Sequence, residues 1–323
     1  MEMFNPHSKI GFMRLGRVTV IVSLVLLVLS LASLATRGLN LALDFTGGAL
    51  IEVRFDHPID TATVRKALTA GGFDKSVVQS LGSSREYAIR LPPEAPIVAP
   101  KATAETTAAT PQPLSERVIA ALASAGRAEL KRSEFVGPQV GKELVGQGVI
   151  AVLVVALGIL AYVWLRFETW KFGLAAVACD LHDVLIVVGC FSIFQWEFDL
   201  TVLAAILAII GYSINDTIVV FDRIREMFRS AHKLEPEAVL DKAINTTLSR
   251  TSVTALTTFL TVTALFFLGG PAVHGFALAL MIGIALGVLS SIFFASPLLN
   301  LMHTTKHDLL PRARSEEALN RRP

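Results

Sequence analysis

Residues 200–221 read LTVLAAILAIIGYSINDTIVVF, and Asp216 is the one formally charged side chain among them. A helix needs about 20 predominantly apolar residues to cross hydrocarbon, so this run reads as a membrane span despite its polar insert, Gly211 to Thr217. Similar runs lie at residues 18–36, 144–165, 172–194, 251–268 and 276–301. The spacing predicts six transmembrane helices. Over all 323 residues the chain is 53% hydrophobic and 17% charged, against about 25% charged in soluble domains. Length alone would allow two soluble domains, but the exclusion of charge from the six runs removes that reading. A net charge of +2 is too small to point to nucleic acid. Cys179 and Cys190 lie 11 positions apart in one apolar run. Helical rise puts them about 16 Å apart, beyond disulfide reach.

Lysine and arginine in short loops orient the spans. They cluster before the first span (Lys9, Arg14, Arg17), between the second and third (Arg166, Lys171), between the fourth and fifth (Arg223, Arg225, Arg229, Lys233, Lys242, Arg250) and after the sixth (Lys306, Arg312, Arg314, Arg321, Arg322). The opposite loops, 195–199 and 269–275, contain none. Both termini are therefore expected in the cytoplasm. Ser33-Leu34-Ala35 looks like a signal-peptidase site, but the apolar core before it is longer than the usual signal-peptide core. An uncleaved first helix is expected.

Residues 37–143 then form an external domain. Residues 49–55 alternate and hold β-branched side chains, which predicts a strand. Residues 60–70 open with a capping Asp or Thr and place Val64 and Leu68 at helical spacing. Short strands follow at 76–81 and 87–91, then a helix at 115–125 and a strand at 132–136. The order β-α-β-β-α-β is the ferredoxin-like split motif. Residues 92–113 are rich in Pro, Ala and Thr without apolar periodicity and read as a disordered linker. The expected layout is a tail at 1–17, a span at 18–36, the domain at 37–143, five spans within 144–301 and a tail at 302–323. Between the fourth and fifth spans, residues 234–248 read as an amphipathic helix on the membrane surface.

An ionisable group inside a bilayer costs about 2.5–3.5 kcal/mol on insertion scales and points to function. Three acids stand inside apolar runs: Asp180 and Asp183 in the third, Asp216 in the fourth. Asp180 and Asp183 share a helix face, with His182 about a third of a turn away. Cys179, His182 and the two acids do not make a metal site without a second cluster; a cross-helix hydrogen-bonded pair or a proton-handling group is the alternative. The fifth run starts at Arg250 and sets Thr254, Thr257, Thr258 and Thr261 along one side. That stripe either serves helix packing or forms a partner face for Asp216. An opposite charge and burial push a carboxyl in opposite directions, so a moving Arg250 would switch Asp216 between holding and releasing a proton. Residues 137–143, GPQVGKE, have the wrong glycine spacing for a phosphate loop and Glu in place of Ser or Thr. No nucleotide site is visible, so an energised process would draw on the membrane potential, about 2.3 kcal/mol per charge per 100 mV.

Several motifs then converge. Leu43-Asp44-Phe45-Thr46-Gly47-Gly48 resembles the D-F-x-G-G signature of the SecD/SecF family. The segments Val136 to Leu144, Leu181-His182-Asp183-Val184, Gly211 to Thr217, Phe221-Asp222-Arg223-Ile224-Arg225-Glu226 and Thr246 to Thr251 resemble that family in the same order, and its SecF branch in particular. The resemblance implies half of an RND-like bundle that pairs with SecD and assists export of unfolded preproteins through SecYEG, drawing on the proton gradient. It implies no cofactor and no enzymatic activity, with lipid, SecD, SecYEG and preprotein as partners, in the bacterial inner membrane. By the same resemblance, Asp216 and Arg250 match the proton pathway. Asp183, His182, Asn215 and Thr254 are less central candidates for it. Asp44, Phe45, Gly47 and Gly48 are a structural motif at the entry to the domain, where paired glycines permit unusual backbone angles.

Three rivals are weighed against that implication. A small-molecule or lipid exporter of RND type commonly carries twelve spans in one chain, and this chain supplies half. An intramembrane aspartyl protease built on Asp183 and Asp216 would show a G-x-G-D pattern, which is absent. A passive translocon scaffold predicts that neutral changes at Asp216 have no effect.

Overall fold

A computed structural model describes residues 10–81, 83–93, 113–230 and 235–302. Most of the 92–113 linker and nearly all of the C-terminal tail lie outside the described residues. The chain divides into two compact units, Leu41–Val149 and a second built from Met1–Asn40 with Ile150–Pro323.

The smaller unit holds a four-stranded antiparallel sheet: β1 (Gly48–Phe55), β2 (Val77–Ser80), β3 (Glu86–Leu91) and β4 (Ala128–Val136), in the order β2-β3-β1-β4. With helices after β1 and β3, this is the expected ferredoxin-like arrangement. Alternation along β1 sends Ile51, Val53 and Phe55 to the buried face, in register with Ile89 and Tyr87 of β3. The flanking helices, Thr61–Ala70 and Leu114–Leu122, close that face with Val64, Leu68, Val118 and Leu122. Tyr87 meets Phe55 edge-on at 5.8 Å and its hydroxyl donates to the Ile59 carbonyl.

The last strand begins earlier than the sequence reading places it. β4 starts at Ala128 rather than 132, because its mostly exposed residues pair along the whole of β1 and carry little apolar alternation to announce them. The Asp44 motif at the entry to the domain includes a short helix, Leu43–Thr46, with Leu43 and Phe45 buried. Gly47 and Gly48 follow at φ 69 and 120. A side chain at Gly48 would run into the Leu91 carbonyl, and one at Gly141 would come within 2.7 Å of the Phe45 carbonyl. At Gly48 glycine is required by φ and by backbone approach, and at Gly141 by backbone approach alone.

Among the described residues, six helices are long and apolar enough to span a membrane. In chain order we label them α1 (Phe12–Arg37), α2 (Pro138–Phe167), α3 (Trp170–Phe194), α4 (Leu200–Ser230), α5 (Pro236–Leu268) and α6 (Pro271–Ser290). A π-turn, Ser291–Ala295, and a short helix, Ser296–Leu301, complete the sixth span. The most apolar window of α3 is 61% buried and that of α2 11%, so α3, α4 and α6 form the centre and α1, α2 and α5 present apolar sides outward. Small residues set the close approaches, as expected where lipid supplies no hydrophobic drive between helices. Gly189 of α3 lies against Ser30 of α1, and Gly283 of α6 against Ile209 of α4. Phe167 and Phe172 stack at 5.0 Å, and Phe221 meets both edge-on at 6.1 and 5.0 Å.

The surface helix expected at 234–248 is instead the first half of α5, which runs unbroken from Pro236 to Leu268. Its apolar stripe, Val239, Leu240, Ala243 and Ile244, packs into the bundle beside Phe12, Met227 and Phe228. No helix breaker stands between 248 and 251, so the polar residues there interrupt hydropathy but not the helix. This extension also holds the start of α1: Asp241 Oδ1 accepts from the Met13 amide at 2.8 Å, and Asn245 exchanges two hydrogen bonds with the Ile10 backbone at 3.2 and 2.8 Å.

Candidate functional site

Asp183 sits in the middle of α3 with no exposure. His182 Nδ1 lies 3.0 Å from one of its carboxyl oxygens. The other oxygen accepts from Ser290 Oγ of α6 at 2.6 Å and from Ser213 Oγ of α4 at 3.2 Å. His182 is therefore paired with Asp183 rather than turned away from it, and its ring stacks on Phe294 at 4.4 Å. Asp180, a helical turn earlier, is also buried, yet neither of its carboxyl oxygens has a hydrogen-bond partner. Of the two acids on that face, Asp183 makes the cross-helix bonds.

A second set of polar contacts joins α4 to the π-turn. Thr217 and Ser291 hydroxyls lie 3.0 Å apart, Ser291 Oγ donates to the Gly287 carbonyl at 2.8 Å, and Ser296 Oγ donates to the Ser291 carbonyl at 3.1 Å. Pro297 has no amide to offer the preceding turn. Thr19 Oγ1 of α1 reaches the Phe293 carbonyl at 3.4 Å. Single π-turns inside helices mark strained, often functional, positions. Here the turn places Ser290 and Ser291 side by side, one on Asp183 and one on Thr217.

Asp216 precedes Thr217. It is 3% exposed, its Oδ2 has no hydrogen-bond partner, and Arg250 of α5 is within electrostatic reach. Arg250, Asn215 and Thr254 are exposed in this chain. The hydroxyls of Thr254, Thr257, Thr258 and Thr261 each bond back to a carbonyl of their own helix at 2.9 to 3.1 Å, so they do not contact Asp216. The structure thus brings Asp183 together with His182, Ser213 and Ser290, sets Asp216 beside that group on α4, and leaves Arg250, Asn215 and Thr254 on an open polar face. Asp44, Phe45, Gly47 and Gly48 belong to the other unit and take part in none of these contacts. Ser290 and Ser291 were not singled out from sequence; the only signal was a pair of hydroxyls inside an apolar run.

Comparison with known proteins agrees with the order of these motifs. The family described as "Protein export membrane protein SecD/SecF, C-terminal" matches residues 117–305, and the "SecD/SecF GG Motif" matches residues 32–59. The chain is 44% identical to the protein translocase subunit SecF of Vibrio alginolyticus over 96% of its own length and 95% of that protein. It belongs to the SecD/SecF family. SecF of Pseudomonas aeruginosa is 43% identical over 98% of both chains, and SecF of Escherichia coli O157:H7 is 37% identical over 98% and 96%. The crystal structure of SecDF from Thermus thermophilus, a translocon-associated membrane protein, superimposes with a TM-score of 0.79 at 37% identity. That match covers 93% of this chain but 40% of the SecDF chain. The GG-motif match contains Asp44 to Gly48, and the C-terminal match contains the polar residues of α3 to α6 and the π-turn described above.

Proposed function

We propose that this chain acts as the SecF-type subunit of a Sec protein translocase in the bacterial inner membrane, with both termini cytoplasmic, coupling proton flow to preprotein export together with a SecD-type partner. The observation that carries the reading is the buried Asp216 carboxyl, left with an unpartnered oxygen inside a membrane span, with an exposed Arg250 within electrostatic reach. An unpaired carboxyl in hydrocarbon is costly, and the exposed polar side chains of Asn215, Arg250, Thr254 and Thr257 would be costly against lipid tails too. A second bundle covering that face removes both penalties, and the SecDF chain, of which this chain matches 40%, has the length to supply one. The role needs no cofactor and no covalent chemistry: Asp216 takes up and releases the proton as the environment supplied by Arg250 and the partner changes.

The test is preprotein translocation into energised vesicles, with and without a proton gradient, comparing wild type and Asp216→Asn at equal assembly with the partner. Loss of only the gradient-dependent part of export supports coupling through Asp216. Equal gradient stimulation in both gives the scaffold reading instead.

A further inference from the structure

Apart from Arg250, the residues lining a groove between the end of α2, the end of α4 and the first half of α5 take no part in the site described above. Five arginines line it, Arg166, Arg223, Arg225, Arg229 and Arg250, against two carboxylates, Asp222 and Glu226. The carboxylates are already engaged: Arg166 Nη2 donates to Asp222 Oδ2 at 2.8 Å and Arg223 Nη1 to Glu226 Oε2 at 2.6 Å. Arg225 is 9% exposed. Its Nη1 donates to the Arg166 carbonyl at 3.0 Å, Nη2 is 3.7 Å from Glu168, and Nε has no hydrogen-bond partner. A nearly buried guanidinium with an unmet donor, in a groove with surplus positive charge, is suited to an anionic oxygen ligand.

Position narrows the ligand. The apolar run of α2 stops at Leu165, just before Arg166; that of α4 stops at Phe221, just before Asp222; and that of α5 begins at Thr251, just after Arg250. All three changes from apolar to charged fall at the groove, which is the level where hydrocarbon gives way to headgroups. Exposed Trp164 and Leu165 on α2, and Val253 and Leu256 on α5, carry an apolar surface away from it. With a volume of about 850 Å³ the groove holds far more than a small inorganic anion.

We propose that this groove binds the phosphate headgroup of an anionic membrane phospholipid, with its acyl chains lying along the exposed side of α2. Basic pockets between membrane helices take such headgroups. Arg223 and Arg229 face the phosphate, Arg225 forms the buried floor, and Arg166 closes one side.

The full chain, purified in neutral detergent and stripped of lipid, is titrated with phosphatidylglycerol, phosphatidylcholine or inorganic phosphate, and bound ligand is read by native mass spectrometry. Wild type is expected to bind phosphatidylglycerol about tenfold or more tighter than the Arg166→Gln/Arg229→Gln variant, the size expected for losing charge-assisted contacts. An Arg65→Gln/Lys66→Gln variant in the other unit should bind like wild type. Arg229→Lys, which keeps the charge, should retain most of the binding and guards against a folding defect in the double variant. Equal binding by wild type and the double variant overturns the site. Inorganic phosphate competing as tightly as the lipid overturns the lipid assignment in favour of a free anion. Equal affinity for phosphatidylcholine overturns the requirement for an anionic headgroup.

Discussion

Ser290 Oγ and the Asp183 carboxyl, 2.6 Å apart in the centre of the bundle, tie the sixth span to the third at the residue just before the π-turn. Removing the hydroxyl leaves a fully buried carboxyl oxygen with only the longer contact to Ser213.

Ser290→Ala should therefore lower the unfolding free energy of the purified chain by about 1–3 kcal/mol, the cost of a buried polar group losing its partner. Asp183→Asn, which keeps the shape and an acceptor oxygen, should cost less than Asp183→Leu. Thermal or denaturant unfolding in one detergent gives the comparison, and an unchanged midpoint in Ser290→Ala would show that the contact is not formed.

Close helix approach makes a second prediction. A methyl group at Gly189 would meet both the side chain and the backbone of Ser30, whereas one at Gly211 meets nothing within 4 Å. Gly189→Ala should destabilise the bundle by about 1–3 kcal/mol or more, the usual cost of overpacking, and Gly211→Ala should be close to neutral. The pair can be ranked in the same unfolding assay. A neutral Gly189→Ala would mean that α1 and α3 are not packed at this distance.

In the smaller unit, Gly48→Ala places a side chain at φ 120 and against the Leu91 carbonyl. Hydrogen exchange of the full chain should speed up in β1 and β3 while the membrane helices keep their protection. Uniform protection across the sheet would contradict the close approach.

The fold was largely legible because two periods govern it: apolar runs long enough for hydrocarbon, and the alternation that buries Ile51, Val53 and Phe55 on one face of β1. What escaped is non-local or masked by charge. Hydropathy falls through Lys242 and Arg250, so α5 looked like a surface helix and a separate span, although nothing between them stops a helix. Asp183 and Asp216 were visible as acids in apolar runs. The partner of Asp183, Ser290, lies 107 positions away in sequence, and a serine in an apolar run does not announce which helix it faces. The bonds between the α5 extension and the start of α1 were hidden in the same way.

Those bonds give a further test. Asp241→Ala removes the acceptor of the Met13 amide and, by analogy with lost helix caps, should cost about 1 kcal/mol. Exchange at residues 10–16 should rise, and Asp241→Asn, which retains an acceptor oxygen, should restore much of the protection. No change in either variant would separate the α5 extension from α1.

The most direct measurement is proton movement itself. Proteoliposomes holding this chain with its SecD-type partner and an internal pH-sensitive dye would be placed under an imposed gradient, with wild type compared against Asp216→Asn. Wild type should conduct protons when a translocating chain is engaged, and Asp216→Asn should fall to the level of empty liposomes while the assembled complex is retained. Proton flux equal to wild type in Asp216→Asn would contradict coupling through this carboxyl.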